Sequence, residues 1–132
     1  MENYEEGLIK PVKNEFQRRY FGVINGKHIK PVLLNPIFIE IFGSMNSALF
    51  LSQMLYWQGK GRNPDWVYKT IVEMKQETGL TRRKQDNAIS ILINMDVLSK
   101  KLTRSIPPKR TFKVNMEKLD KLFVEHLKNY EK

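Results

Sequence analysis

The sequence predicts a mainly α-helical domain of the α+β class that carries one small β-hairpin. Two helical segments meet at a tight junction over residues 78–81, where a glycine follows the first helix. Two short segments that alternate apolar and polar residues, 98–102 and 111–114, then flank a loop that contains Pro107 and Pro108. The length of 132 residues suits a single domain.

Residues 1–34 are predicted to form an N-terminal arm with a β-hairpin. The segments 20–24 and 27–30 flank Asn25 and Gly26, the dipeptide most typical of a two-residue hairpin turn. We therefore expect residues 20–24 to be the first strand of this hairpin.

Two helices are predicted next. Asn35 and Pro36 are typical of a helix start, and this short helix should run to about Phe42, before Gly43. The following helix should begin near Ser44 and end at about residue 57. Its apolar residues lie on nearly every side, which predicts a buried central helix.

A small strand is predicted at residues 66–69, followed by two closely joined helices. Thr70 and Glu73 fit a capping box at the start of the first, which should end at Thr78 because Gly79 can adopt a positive φ. Thr81 can cap the second, which should continue to about residue 95. Two helices joined this closely predict a helix-turn-helix.

The order strand, helix, helix, hairpin is that of a winged helix-turn-helix, which we assign to residues 35–115 with the second hairpin as the wing. Residues 48–57, 66–70 and 77–83 carry a pattern of residue types that resembles the winged-helix domains of phage and plasmid replication proteins. The resemblance covers roughly residues 45–115. It implies binding to double-stranded DNA and a role in DNA replication.

Residues 116–132 are predicted to form a C-terminal amphipathic helix. Its apolar stripe can pack on the winged-helix domain or on a partner, which leaves a homodimer as one expected assembly. The stripe consists of Leu119, Leu122, Phe123, Leu127 and Tyr130.

The positive charge of the protein is concentrated in one stretch. The chain has 23 basic and 14 acidic side chains, a formal net charge of +9. Residues 75–113 hold 10 of the basic and 3 of the acidic side chains, which is +7 of that charge. Because a local positive field attracts polyanions, this distribution predicts a nucleic-acid-binding surface.

The helix after Thr81 offers candidates for base recognition. With residues placed about 100° apart, its apolar residues share one side and its polar residues share the other. In the major groove, arginine pairs with guanine and asparagine with adenine. The predicted base contacts are Arg83, Asn87 and Ser90.

Basic residues beside this face are predicted to bind the DNA backbone. The start of the helix adds partial positive charge, and the wing has no acidic residue from 97 to 113. The predicted backbone contacts are Thr81, Arg82, Lys84, Lys101, Arg104, Lys109 and Arg110.

Several other classes of function have little support in the sequence. No cysteine is present, and the two histidines, His28 and His126, lack helical ligand spacing, so we expect no metal. We expect no catalysis, cofactor or small-molecule substrate, because no carboxylate cluster, glycine-rich phosphate loop or nucleophile–base pair accompanies the basic stretch. The acidic N-terminus is not typical of a secretory signal, and the apolar stretch 48–57 is too short to cross a membrane. We therefore expect a cytoplasmic protein.

Three hypotheses about the function are weighed. The first is a protein that binds duplex DNA through the predicted helix and wing, either a replication or partition factor or a transcriptional regulator of the same fold, since the fold alone does not define the role. The second is a protein-interaction module that uses the C-terminal helix and does not bind DNA. The third, an enzyme that acts on nucleic acid, is disfavoured because the catalytic motifs named above are missing.

Overall fold

The computed structural model describes residues 15–25 and 31–131. The chain divides into two compact units, Met1–Pro31 and Val32–Lys132. The described residues form six α-helices and one three-stranded antiparallel sheet. The prediction of a mainly helical α+β protein is therefore confirmed.

The first unit contains helix α1, Glu15–Asn25. The prediction of a β-strand at residues 20–24 is therefore wrong. Contacts at helical spacing explain the helix: Glu15 and Arg19 form an ion pair of 3.8 Å, and the rings of Phe16 and Tyr20 stack with their centroids 5.9 Å apart. The second predicted strand, 27–30, lies outside the described residues.

The second unit begins with two helices that start and end as the sequence predicts. Helix α2 spans Pro36–Phe42, and Asn35 Oδ1 accepts a hydrogen bond of 3.0 Å from the amide of Ile37. Gly43 ends α2 with a φ of 64°. Helix α3, Met45–Trp57, is the central helix, and most of its residues from Ser47 to Met54 are buried.

Helices α4, Ile71–Thr78, and α5, Arg82–Asn94, are joined by only three residues. Thr70 and Glu73 form the predicted capping box at the start of α4. Gly79 has a φ of 81° and turns the chain away from α4, and Leu80 is buried. This short connection fixes the start of α5 next to the end of α4.

The sheet contains β1, Val67–Tyr68, β2, Leu98–Leu102, and β3, Arg110–Val114, in the order β1-β3-β2. Val67 and Lys100 both pair with Phe112, which lies on the face that packs against the helices. Because side chains alternate along a strand, the neighbouring residues lie on the opposite face. We call that face the outer sheet face; its residues are Trp66, Tyr68, Ser99, Lys101, Lys109, Thr111 and Lys113.

Helix α6, Met116–Leu127, packs against α2 of the same unit and is followed by a 3-10 helix, Lys128–Glu131. The rings of Phe38 and Phe123 meet edge to face with centroids 6.4 Å apart, and Leu119 is buried. Much of the predicted apolar stripe therefore packs within this unit. In the part of the chain that the structure describes, no helix combines the length and the apolar character needed to span a membrane.

Candidate nucleic-acid interface

The start of α5 carries three adjacent cations on an exposed surface. Thr81 caps the helix, because its Oγ1 accepts from the amide of Lys84 at 3.4 Å. Arg82, Arg83 and Lys84 are exposed, and none of them has an ion-pair partner among the described residues. Cations at a helix N-terminus oppose the helix dipole, so this cluster suits an external anion better than it suits the helix.

The exposed side of α5 brings together the three residues predicted to contact bases. Arg83, Asn87 and Ser90 are all exposed. On the opposite side Ala88 and Leu92 are fully buried in the core. Polar donors and acceptors thus lie along one side of a helix whose other side is fixed by packing.

Gln85 is a structural residue of this site that the sequence interpretation missed. Its side chain is fully buried, and its Nε2 donates to the carbonyl oxygens of Ile71 at 3.0 Å and Leu80 at 2.9 Å. It therefore connects α5 to the start of α4 and to the short connection between them. Its position three residues before Ala88 and four before Ile89, on the apolar side, was the signal that could have identified it.

Arg110 is buried, which contradicts its prediction as a contact to the DNA backbone. Its Nε donates to the carbonyl oxygen of Lys69 at 3.2 Å and its Nη2 to Gln85 Oε1 at 3.0 Å. Its Nη1 is buried without a hydrogen-bond partner among the described residues. Burial lowers the pKa of Arg110, and Arg82 adds to this effect while Asp86 opposes it. Strand alternation is the cause, since Arg110 lies on the same face of β3 as Phe112.

The remaining cations of the β2–β3 hairpin divide between two faces. Lys101 Nζ lies 4.2 Å from the ring centroid of Trp66, and Lys109 Nζ lies 5.1 Å from that of Tyr68, both on the outer sheet face. Lys100 lies on the helix-side face and is exposed, and Arg104 is exposed in the hairpin loop. The predicted backbone contacts of the hairpin thus do not form a single cluster.

Hydrogen bonds within the hairpin loop hold it in a defined conformation. Thr103 Oγ1 accepts from the amide of Lys109 at 2.9 Å, and the Thr103 amide donates to the Lys109 carbonyl at 2.9 Å. Ser105 Oγ donates to the carbonyl of Pro107 at 3.0 Å. Ile106 is 98% exposed at the tip of this loop. The loop therefore presents an apolar tip and the cation of Arg104 on an ordered hairpin.

A polar cluster around Glu77 links helices of the second unit to the sheet. Glu77 Oε2 pairs with Lys69 Nζ at 2.6 Å, and its Oε1 accepts from Gln53 at 2.6 Å and from Trp57 at 2.8 Å. Burial acts to raise the pKa of Glu77, but the hydrogen bonds from these three side chains together lower it. The ammonium group of Lys69 also lies 3.8 Å from the ring centroid of Trp57. The cluster joins α3, the end of β1 and α4.

Among the described residues, no group of three or more histidine, aspartate or glutamate side chains is arranged to hold a metal ion. Comparisons with family models, with curated proteins and with solved structures find no match to this chain.

Proposed function

We propose that this protein binds double-stranded DNA sequence-selectively through a winged helix-turn-helix in which α5 is the recognition helix. One observation carries the proposal: Arg83, Asn87 and Ser90 share the exposed side of α5. Arg83 also belongs to a run of three cations, Arg82 to Lys84, that have no ion-pair partner among the described residues. A major groove accepts an α-helix, and the N-terminal part of a recognition helix commonly reaches the base edges.

Each group at the start of α5 has a role in this arrangement. The Arg83 guanidinium can donate twice to guanine, and the Asn87 amide can both donate to and accept from adenine. Arg82 and Lys84 bind phosphates on either side of the groove. The hydroxyl of Thr81 accepts a hydrogen bond from Lys84 and still has its own hydrogen to donate to a phosphate.

The β2–β3 hairpin is the wing in this proposal. Fewer of its cations contribute to binding the DNA backbone than the sequence predicts. Lys100 and Arg104 are exposed on the helix-side face and in the loop, respectively, so they are the hairpin cations best suited to the backbone of the DNA that α5 binds. The exposed tip at Ile106 can enter the minor groove next to it.

The resemblance to phage and plasmid replication proteins makes replication initiation or control the role that we propose for this binding. A transcriptional regulator would use the same surface, so the location of the target site is what separates the two roles. The test is to select fragments of the source genome with the full chain at physiological salt and to map the protected bases. Protection confined to one recurring sequence within a replication origin supports the proposal, and sites only at promoters would assign a regulator instead. Retention of fragments without any shared sequence would contradict sequence-selective binding.

A further inference from the structure

The outer sheet face combines aromatic rings with lysines and lies opposite the face that packs on the helices. Trp66 is half-buried and Tyr68 is 43% exposed, and the two residues lie on the same side of β1. Lys101 Nζ lies 4.2 Å from the ring centroid of Trp66, and Lys109 Nζ lies 5.1 Å from that of Tyr68. Lys113, from the central strand, adds a third exposed cation.

A cavity of about 520 Å³ opens beside Trp66 on this face. It is lined also by Ser99, Lys113 and Asp65. The amides of Gln58 and Asn115 lie at its wall and are engaged in hydrogen bonds to the protein backbone. Cavities of roughly 300–1,000 Å³ are typical of sites that hold small organic groups. The Trp66 ring can stack on a nucleobase, and the Lys113 ammonium group and the Ser99 hydroxyl can bind its phosphate.

We propose that the outer sheet face binds single-stranded nucleic acid. Unpaired bases stack on Trp66 and Tyr68 and displace the ammonium groups of Lys101 and Lys109 from these rings, and the displaced groups bind phosphates together with Lys113. The aromatic rings favour a single strand over a duplex as the ligand, because only unpaired bases expose their flat faces for stacking. The lysines make the charge of the face complementary to a phosphate backbone, with Asp65 as the acidic residue at the cavity. This surface is separate from the exposed side of α5, so the inference goes beyond the proposed duplex binding.

The test measures the affinity of the full chain for fluorescently labelled oligo-dT and oligo-U, with the selected duplex in parallel. Tyr68→Ser removes one ring, and the pair Lys101→Ala with Lys113→Ala removes charge without changing a buried side chain. Tyr56→Ser is the matched control, because Tyr56 is also an exposed ring with a lysine 4.2 Å from its centroid, but it lies on α3. Thermal unfolding followed by circular dichroism reports whether each variant is folded.

Removal of one stacking ring should weaken single-strand binding by about tenfold, whereas the Tyr56 variant should bind as the wild type does. In the wild type, stacking should also quench tryptophan emission, and Trp66→Phe should abolish this quenching while retaining affinity. Stronger binding of oligo-dT than of oligo-U assigns DNA as the ligand, and the reverse assigns RNA.

Three results would overturn the inference. The first is absence of single-strand binding by the wild type, and the second is single-strand affinity unchanged in both Tyr68→Ser and the double lysine variant. Equal weakening of duplex and single-strand binding in these variants would also overturn it, because the face would then belong to the duplex site. Arg83→Ala separates the two proposals, since it should weaken duplex binding and leave oligo-dT binding unchanged. Failure of duplex binding alone would thus remove the proposed function and leave this inference standing.

Discussion

Arg110 Nη2 donates a hydrogen bond of 3.0 Å to Gln85 Oε1 inside the domain. Through this bond the first residue of β3 is attached to α5, and Gln85 Nε2 attaches α5 to α4. A single buried amide therefore joins the β2–β3 hairpin, α5 and α4.

Replacing Gln85 by alanine should lower the free energy of unfolding by about 3 kcal/mol, because the buried Arg110 Nη2 and the carbonyl oxygens of Ile71 and Leu80 each lose a hydrogen bond. Chemical denaturation measures this decrease. Gln76→Ala, an exposed glutamine on α4, is the control and should change stability by less than about 0.5 kcal/mol. The double variant Gln85→Leu with Arg110→Met removes both polar groups. Its loss of unfolding free energy should be smaller than the sum of the losses for Gln85→Leu alone and Arg110→Met alone. Strict additivity would show that the two side chains are not coupled.

Arg83→Ala and Asn87→Ala should each weaken binding to the selected duplex by ~1–3 kcal/mol and leave binding to random duplex nearly unchanged. The physical reason is that both side chains would read base edges and not phosphates. Fluorescence anisotropy on the two duplexes measures the difference. Asn129→Ala, an exposed asparagine that follows α6, is the matched control. Equal weakening on both duplexes would reassign Arg83 and Asn87 to the backbone.

Removal of hairpin cations should change the salt dependence of duplex binding according to the face on which they lie. Lys100→Ala with Arg104→Ala should reduce the slope of log K against log salt by about 0.9 for each phosphate that the variant no longer neutralises. Lys101→Ala with Lys109→Ala removes the same charge from the outer sheet face and should leave the duplex slope almost unchanged. The same decrease in slope for both pairs would show that the two faces of the hairpin contribute equally.

The contact between α6 and α2 should make the melting temperature depend on pH through Glu40. Its Oε1 lies 2.7 Å from His126 Nε2 and also accepts a hydrogen bond from the hydroxyl of Tyr130. Hydrogen bonds from His126 and from Tyr130 lower the pKa of Glu40 below its usual 4.5. Because the pKa is lowered, the ionised Glu40 carboxylate stabilises the folded state. This stabilisation is present above pH 4.5 and is lost as the pH falls through the folded-state pKa.

The same contact should make the melting temperature depend on pH in the alkaline range as well, since the hydrogen bond to Glu40 raises the pKa of Tyr130 above its usual 10.0. That stabilisation is complete below pH 10.0 and is lost as the pH rises through the raised value. Glu40→Gln should therefore flatten both limbs of a plot of melting temperature against pH, and Glu117→Gln on α6 should not. A profile of Glu40→Gln identical to that of the wild type would contradict this role.

The helix ends could be predicted from the sequence because their signals are local. Asn35, Thr70 and Thr81 each cap the helix that the sequence assigns to them, and Gly43 and Gly79 end helices with positive φ. These interactions involve residues two to four positions apart, so the order of residues is enough to recognise them.

Two predictions from the sequence were wrong: the exposure of Arg110 and the strand at residues 20–24. The first depends on contacts between residues far apart in sequence, and the second on competing local patterns. Arg110 is buried because of the register of β3 in the sheet and its bonds to Lys69 and Gln85, which no local pattern reveals. At residues 20–24 the turn signal of Asn25 and Gly26 competes with helical spacing of charges and rings that begins at Glu15, and the helix forms. For α5, the helical period of the sequence predicted which residues are exposed and most of those that are buried.

The three residues between α4 and α5 have a consequence for the kinetics of the DNA binding that we propose. With Leu80 buried, Gly79 closing one helix and Thr81 capping the next, α5 is held in place without a ligand. A surface organised in advance loses little conformational entropy on binding, and a net charge of +9 should accelerate encounter with every DNA sequence alike. In the proposed mode, correct and incorrect sites should therefore be met at similar rates and be distinguished by how long the protein stays bound.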